Sequence, residues 1–218
     1  MLGKTHATVG VLAGLMIMQP HDPYQMAMGA AVAMTGALLP DTDSEHSLAQ
    51  QGIKKILKVV VAVGALVAAY LYYKTKFKLE LDLGTASINL VSPLNVIGMI
   101  LLMAFGIFGE TRPHREIMHS VLAMMIGTLL AWMAFPHFAI YFFVGYASHL
   151  LLDMLNYQGI QLLYPKKKKF SLGLCKSGGK VNTMLSVIGV LLLALEVYFL
   201  LNGTELLKVL INSKRLVM

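Results

Sequence analysis

Long apolar runs separated by short polar joints dominate this 218-residue chain, and seven stand out: residues 7–18, 24–39, 56–73, 90–108, 117–135, 138–155 and 184–201. Five approach the roughly 20 residues a helix needs to cross the hydrocarbon core of a bilayer. The first two, at 12 and 16 residues, are shorter and are joined by Gln19-Pro20-His21-Asp22-Pro23. That joint predicts a hairpin of tilted crossing helices or a partly re-entrant pair. Only residues 76–83, Lys76-Phe77-Lys78-Leu79-Glu80-Leu81-Asp82-Leu83, alternate charged with apolar positions. They predict a short strand or a segment lying at the membrane interface. With no internal repeat, the expectation is one domain over residues 1–218 of all-α class: a polytopic transmembrane helical bundle of five to seven membrane-embedded helices.

Composition strengthens that picture. Hydrophobic residues make up 57% of the chain and charged residues 13%, against roughly 25% charged in an ordinary soluble domain, so a soluble globule is excluded. A net charge of +7 would suggest nucleic acid in a soluble protein, but these lysines sit between apolar runs, where they set membrane orientation; no nucleic-acid partner is expected. The lone Cys175 excludes an intramolecular disulfide, a CxxC redox pair and thiolate zinc fingers. Ala31-Val32-Ala33 faintly resembles a cleavage site, but two apolar runs precede it where a signal peptide has one, so cleavage is not expected.

If all seven runs cross, Lys and Arg divide twelve to six between the two sides, with Lys4, Arg115 and Lys166, Lys167, Lys168 and Lys169 on the richer one. The positive-inside bias makes that side cytoplasmic. Histidines and aspartates at helix ends are the residues apolar composition cannot explain. They fall in four places: His6; Asp41 and Asp43 after Pro40; His114 and His119; and His149 with Asp153. In the seven-crossing topology all four lie at the cytoplasmic end. His149 and Asp153, four apart, share one helix face, a common grip on a transition metal. His114 and His119, five apart, would diverge on a continuous helix, so His114 belongs to the lead-in after Pro113.

Taken singly, each has an ordinary reading: an interfacial histidine, or an aspartate in a cap or turn. Together, four imidazoles and three carboxylates suit a divalent transition metal, one or two ions, with Zn first and Mn or Fe as alternatives. Arg115 beside His114 is placed to bind a phosphate or carboxylate. The lysine run is first a topology determinant touching anionic lipid. Glu196, inside the last run and toward its outer end, is expected to snorkel or pair locally. His46 reads as a solvated loop residue, His21 and His137 lie at the opposite end, and the dispersed methionines read as packing.

His6-x3-Gly10, Leu38-Leu39-Pro40-Asp41-x-Asp43, His114-Arg115-x3-His119-Ser120, and His149-x3-Asp153 followed by Gly159-x2-Leu162-Leu163-Tyr164-Pro165 resemble, in order, the motifs of the YdjM-type family of inner-membrane, metal-dependent hydrolases. The resemblance covers nearly the whole chain; Met118 replaces the threonine usual before the second histidine of the third motif. It implies a helical membrane protein whose His and Asp motifs bind metal and whose activity is hydrolysis, looking distantly like zinc-dependent phospholipase C-type enzymes. The expectation is an inner-membrane enzyme cleaving an ester or phosphoester of a lipid or lipid-linked molecule at the cytoplasmic face. Metal-activated water would attack, Asp43 or Glu116 would serve as base, and Arg115 would steady developing charge. The alternative is a non-catalytic metal-binding scaffold or an ion transporter; transport is disfavoured because the polar groups gather at one membrane end.

Overall fold

The computed structural model describes residues 1–43 and 92–202. The run at 56–73, the alternating stretch at 76–83 and His46 lie outside those residues. Among the described residues the fold is all-helical, with six α-helices: α1 (Gly3–Met18), α2 (Pro23–Leu38), α3 (Pro93–Glu110), α4 (Val121–Ala134), α5 (Ala139–Met154) and α6 (Lys180–Leu201).

Local chemistry sets the ends of these helices. The Asp22 carboxylate caps α2 by accepting from the Gln25 N–H at 2.8 Å, with Pro23 in the first turn. Ser92 and Asn95 form a reciprocal capping box at the start of α3. Asn95 Nδ2 also donates to the carbonyls of Met133 and Ala134, at 3.2 and 3.1 Å, tying the start of α3 to the end of α4. The run at 117–135 does not form one helix. Residues Ile117–His119 make a 3-10 turn, and Ser120 Oγ accepts from the Ala123 N–H to start α4 one residue later.

Span number is therefore the point at which structure and sequence pattern part. By length and composition, only α3 and α6 among the described helices suffice to cross a membrane. α1, α2, α4 and α5 are 14 to 16 residues long; the runs behind α1 and α2 are short in themselves, and turns with Pro136 consume the ends of those behind α4 and α5. The outer faces of α3, α4 and α6 expose Ile100, Ile107, Leu129, Trp132, Leu191 and Tyr198, a surface that lipid rather than water accommodates.

α1, α2 and α5 pack mutually; α3 lies on α4, α4 on α5, and α6 on α1. Phe142, Tyr146, Leu15, Met118 and Ile160 are essentially fully enclosed at the centre. The α2/α5 seam is unusually tight. A Cβ on Gly36 would lie 2.2 Å from the Phe142 carbonyl oxygen, and one on Gly145 would lie 2.0 Å from that of Ala33. Glycine there lets the two backbones touch. At the start of α6 the buried Asn182 Oδ1 accepts from the Leu2 N–H and the Thr5 hydroxyl, at 3.0 and 3.1 Å, fixing the first turn of α1. Glu196 is fully buried within α6, which overturns snorkelling, one of the two expectations for it.

Candidate metal centre

Four elements end at the same place. His6 stands in the first turn of α1; Asp41 and Asp43 lie in a 3-10 turn, Leu39–Asp43, that continues α2. His119 closes the turn before α4, and His149 and Asp153 occupy the last two turns of α5. His114 sits in the turn after α3, as Pro113 predicts. All seven histidines and aspartates singled out in the sequence join one connected network.

Its centre is a group of four: Asp41, His119, His149 and Asp153. The Nε2 atoms of His119 and His149 are 3.2 Å apart. His119 Nε2 lies 3.4 Å from Asp153 Oδ2 and 3.6 Å from Asp41 Oδ1. His149 Nε2 lies 3.7 Å from Asp41 Oδ1 and 3.8 Å from Asp153 Oδ2. Donor atoms 3.2–3.8 Å apart have the spacing expected between ligands that share one small divalent ion at bond lengths of about 2.0–2.2 Å.

The imidazoles are turned for ligation as well. His149 Nδ1 is 2.7 Å from the Ala37 carbonyl; a carbonyl can only accept, so Nδ1 carries the proton and the Nε2 lone pair faces the group. His119 Nδ1 is 3.3 Å from Asp43 Oδ2, which directs its Nε2 the same way. Asp153 Oδ2 is enclosed, with His119 Nε2, His149 Nε2 and Arg115 Nη2 at 3.4, 3.8 and 3.7 Å, longer than good hydrogen bonds and close to the spacing between ligands of one small ion. The residues present thus fit a metal ion.

A second group, Asp41, Asp43, His114 and His119, shares two members with the first, and its donor atoms also lie within 4.8 Å of one another. Here Asp43 Oδ1 is 2.6 Å from His114 Nδ1, and its Oδ2 accepts from the Arg115 N–H at 3.2 Å. His6 lies at the other edge: its ring stacks on His149 with centroids 3.8 Å apart, and its Nε2 is 3.2 Å from Asp153 Oδ1. Asp153 Oδ1 also pairs with the amino group of Met1. Arg115 is buried, with Nε directed at His114 Nε2 at 3.3 Å and Nη2 3.7 Å from Asp153 Oδ2. Glu116 is not brought in: its carbonyl accepts from the His119 N–H, and its carboxylate belongs to neither group. Ser120 serves as the α4 cap.

Burial by itself would push the Asp41 and Asp43 carboxyls up. The neighbouring imidazoles of His149, His119 and His6, with a hydrogen bond from His119, hold Asp41 below its ordinary value; hydrogen bonds from His114 and His119 do the same for Asp43. For His119, burial favours the neutral ring, but hydrogen bonds to Asp153, Asp41 and Asp43 outweigh it and raise its pKa well above the usual value. The metal-free site therefore keeps a proton on His119 at neutral pH, and an arriving ion must displace it. Ion affinity is expected to rise with pH through neutrality, by up to about tenfold per pH unit while one proton leaves. Calorimetric titration in buffers of differing ionisation enthalpy reads that proton directly; a pH-independent affinity with no release would contradict it.

Three supporting features escaped the sequence reading. The Ala37 carbonyl orients His149, the Tyr146 hydroxyl donates to the Met118 carbonyl at 2.6 Å and holds the turn before His119, and glycines close the seam beneath. One signal was available: Gly145, His149 and Asp153 recur every four residues, so the close-packed face and the ligand face of α5 are the same face.

No curated protein and no solved structure matches the chain. The family model of the YdjM inner membrane protein matches residues 1–212, nearly the whole of the sequence and every element that supplies the centre. A buried His/Asp centre at one end of a helical bundle is thus the centre of an inner membrane protein, and the chain belongs to the YdjM inner membrane protein family.

Proposed function

We propose that this protein is a metal-dependent hydrolase of the inner membrane that cleaves an ester or phosphoester of a lipid or lipid-linked molecule, with its site facing the cytoplasm. The observation that carries the reading is the convergence of His119 Nε2, His149 Nε2, Asp41 and Asp153 beside a buried arginine. A divalent ion held by these residues, Zn first by donor chemistry, would supply Lewis acidity toward a substrate oxygen and lower the pKa of water.

The chain's own groups divide the remaining work. Asp43, through its two oxygens, orients His114 and His119 at 2.6 and 3.3 Å. The His114 side chain is 38% exposed, so the Asp43–His114 pair can hold a proton at Nδ1 and exchange it with solvent. Arg115 stabilises negative charge. The excess of Lys and Arg on the ligand-bearing side supports a cytoplasmic orientation, and the position of the centre at helix ends supports hydrolysis over transport through the midplane.

The test is to incubate purified wild type and His119→Ala with extracted membrane lipids and profile the products. A product formed by the wild type and absent with the variant is expected. If neither protein changes the lipid profile while the wild type carries its metal, the centre is a structural or ion-binding one and the catalytic reading is lost.

A further inference from the structure

We infer that the site takes a phosphoryl group, and that Arg115 is the residue that receives it. The inference rests on the hydrolase reading and narrows its substrate from esters in general to phosphate esters, whether in a lipid headgroup or a soluble molecule.

Arg115 has φ +67°, a left-handed backbone that a long side chain rarely adopts. That conformation turns both its N–H and its guanidinium toward the centre. The N–H donates to Asp43, Nε is directed at His114, and Nη2 faces Asp153. The residue is only 6% exposed, yet Nη1 has no hydrogen-bond partner. A guanidinium so enclosed loses hydration at one nitrogen and gains nothing in return until an acceptor reaches it. The strained backbone and the unpartnered nitrogen are separate observations, and both point to a ligand oxygen at Nη1.

The chemistry of the neighbours identifies that oxygen. A carboxylic ester is neutral in its ground state and develops one anionic oxygen, for which a single cation suffices. A phosphate ester carries negative charge on its non-bridging oxygens from the outset. Two cationic groups set side by side would suit it: an ion that Asp153 would help to hold, and the arginine that lies against the same carboxylate. The rim agrees. Ile160 and Phe170 exchange backbone hydrogen bonds at 3.0 and 2.8 Å, which closes a loop presenting Lys166, Lys167, Lys168 and Lys169 to solvent. The Gln161 N–H in that loop donates to the Arg115 carbonyl at 3.1 Å, and the Leu162 carbonyl accepts from the Val121 N–H at 2.9 Å. The lysine run is thus fastened to the turn that carries Arg115, where it concentrates anions at the site.

The experiment measures binding of inorganic phosphate to the full-length, metal-loaded protein in detergent, with metal content determined on the same samples. Arg115→Asn keeps a residue that tolerates the left-handed backbone, and Arg115→Lys keeps the charge without the fork. Phosphate affinity should fall at least tenfold in Arg115→Asn and less in Arg115→Lys, with metal content unchanged in both. Displacement of phosphate by nanodiscs containing phosphatidic acid, but not by phosphatidylcholine alone, supports the inference with a lipid source; displacement by glycerol 3-phosphate alone supports it with a soluble one. Equal phosphate affinity in wild type and Arg115→Asn overturns it, as does a metal-loaded wild type that ignores phosphate, and both leave the hydrolase reading standing. Variants that lose metal together with phosphate overturn it too, since Arg115 is then a scaffold of the metal centre. A wild type that holds no metal removes the hydrolase reading and this inference with it.

Discussion

Asp153→Asn is expected to lose bound metal by roughly 100-fold or more in affinity, and lipid hydrolysis with it. The substitution preserves shape and removes charge, so its effect isolates what the charge does. Asp153 is 1% exposed, and its two oxygens serve different groups. Oδ2 faces His119, His149 and Arg115; Oδ1 faces His6 and the Met1 amino group. With asparagine in place, an ion loses a charged donor and the buried Arg115 loses its counter-ion. Breaking one partner of a buried pair typically costs about 3–5 kcal/mol, so the variant should also unfold more readily. Elemental analysis of the purified proteins beside a melting curve, with His21→Ala in the joint between α1 and α2 as control, separates the two consequences. Full metal occupancy in Asp153→Asn would remove the four-residue centre from consideration.

Gly145→Ala should be nearly as damaging, although it adds one methyl group and touches no ligand. The new Cβ would fall 2.0 Å from the Ala33 carbonyl oxygen and 3.1 Å from the Ala37 nitrogen. Both are backbone atoms, which no rotamer change can move aside. Alanine gains about 1 kcal/mol of helix propensity over glycine, but overpacking a filled core costs typically 1–3 kcal/mol and occasionally more; a backbone collision belongs at the upper end. The seam must open, and the His149 Nδ1 to Ala37 contact, one turn away, opens with it. The expected result is a lower melting temperature in detergent together with weaker metal binding. Gly106→Ala provides the contrast, because its Cβ would meet only the Leu39 Cδ1 at 3.2 Å, the end of a flexible side chain. Equal behaviour of the two variants would sink the account of the seam.

The helical class and the meeting of His6, Asp41, Asp43, His114, His119, His149 and Asp153 were legible in the chain because a scarcity of polar residues makes each one conspicuous. Helix length was less legible. Hydropathy counts Ile117, Met118 and Phe135 as part of an apolar run, whereas Ser120 caps α4 and Pro136 follows it, which leaves 14 residues of helix. The division of labour among the ligands was not legible at all. His119 and His149 offer their Nε2 atoms because of where Asp43 and the Ala37 carbonyl stand, and no spacing rule reports a backbone carbonyl that lies 112 positions from the ring it orients. Glu116 adjoins Arg115 in sequence, yet its carboxylate joins neither ligand group.

That long-range contact joins α2 to α5, while the four central ligands come from the turn after α2, the turn before α4, and α5. An ion gripped by all of them at once stabilises only the assembled arrangement, so metal occupancy and helix association form a single equilibrium, and the centre doubles as a clasp that records whether the bundle has closed.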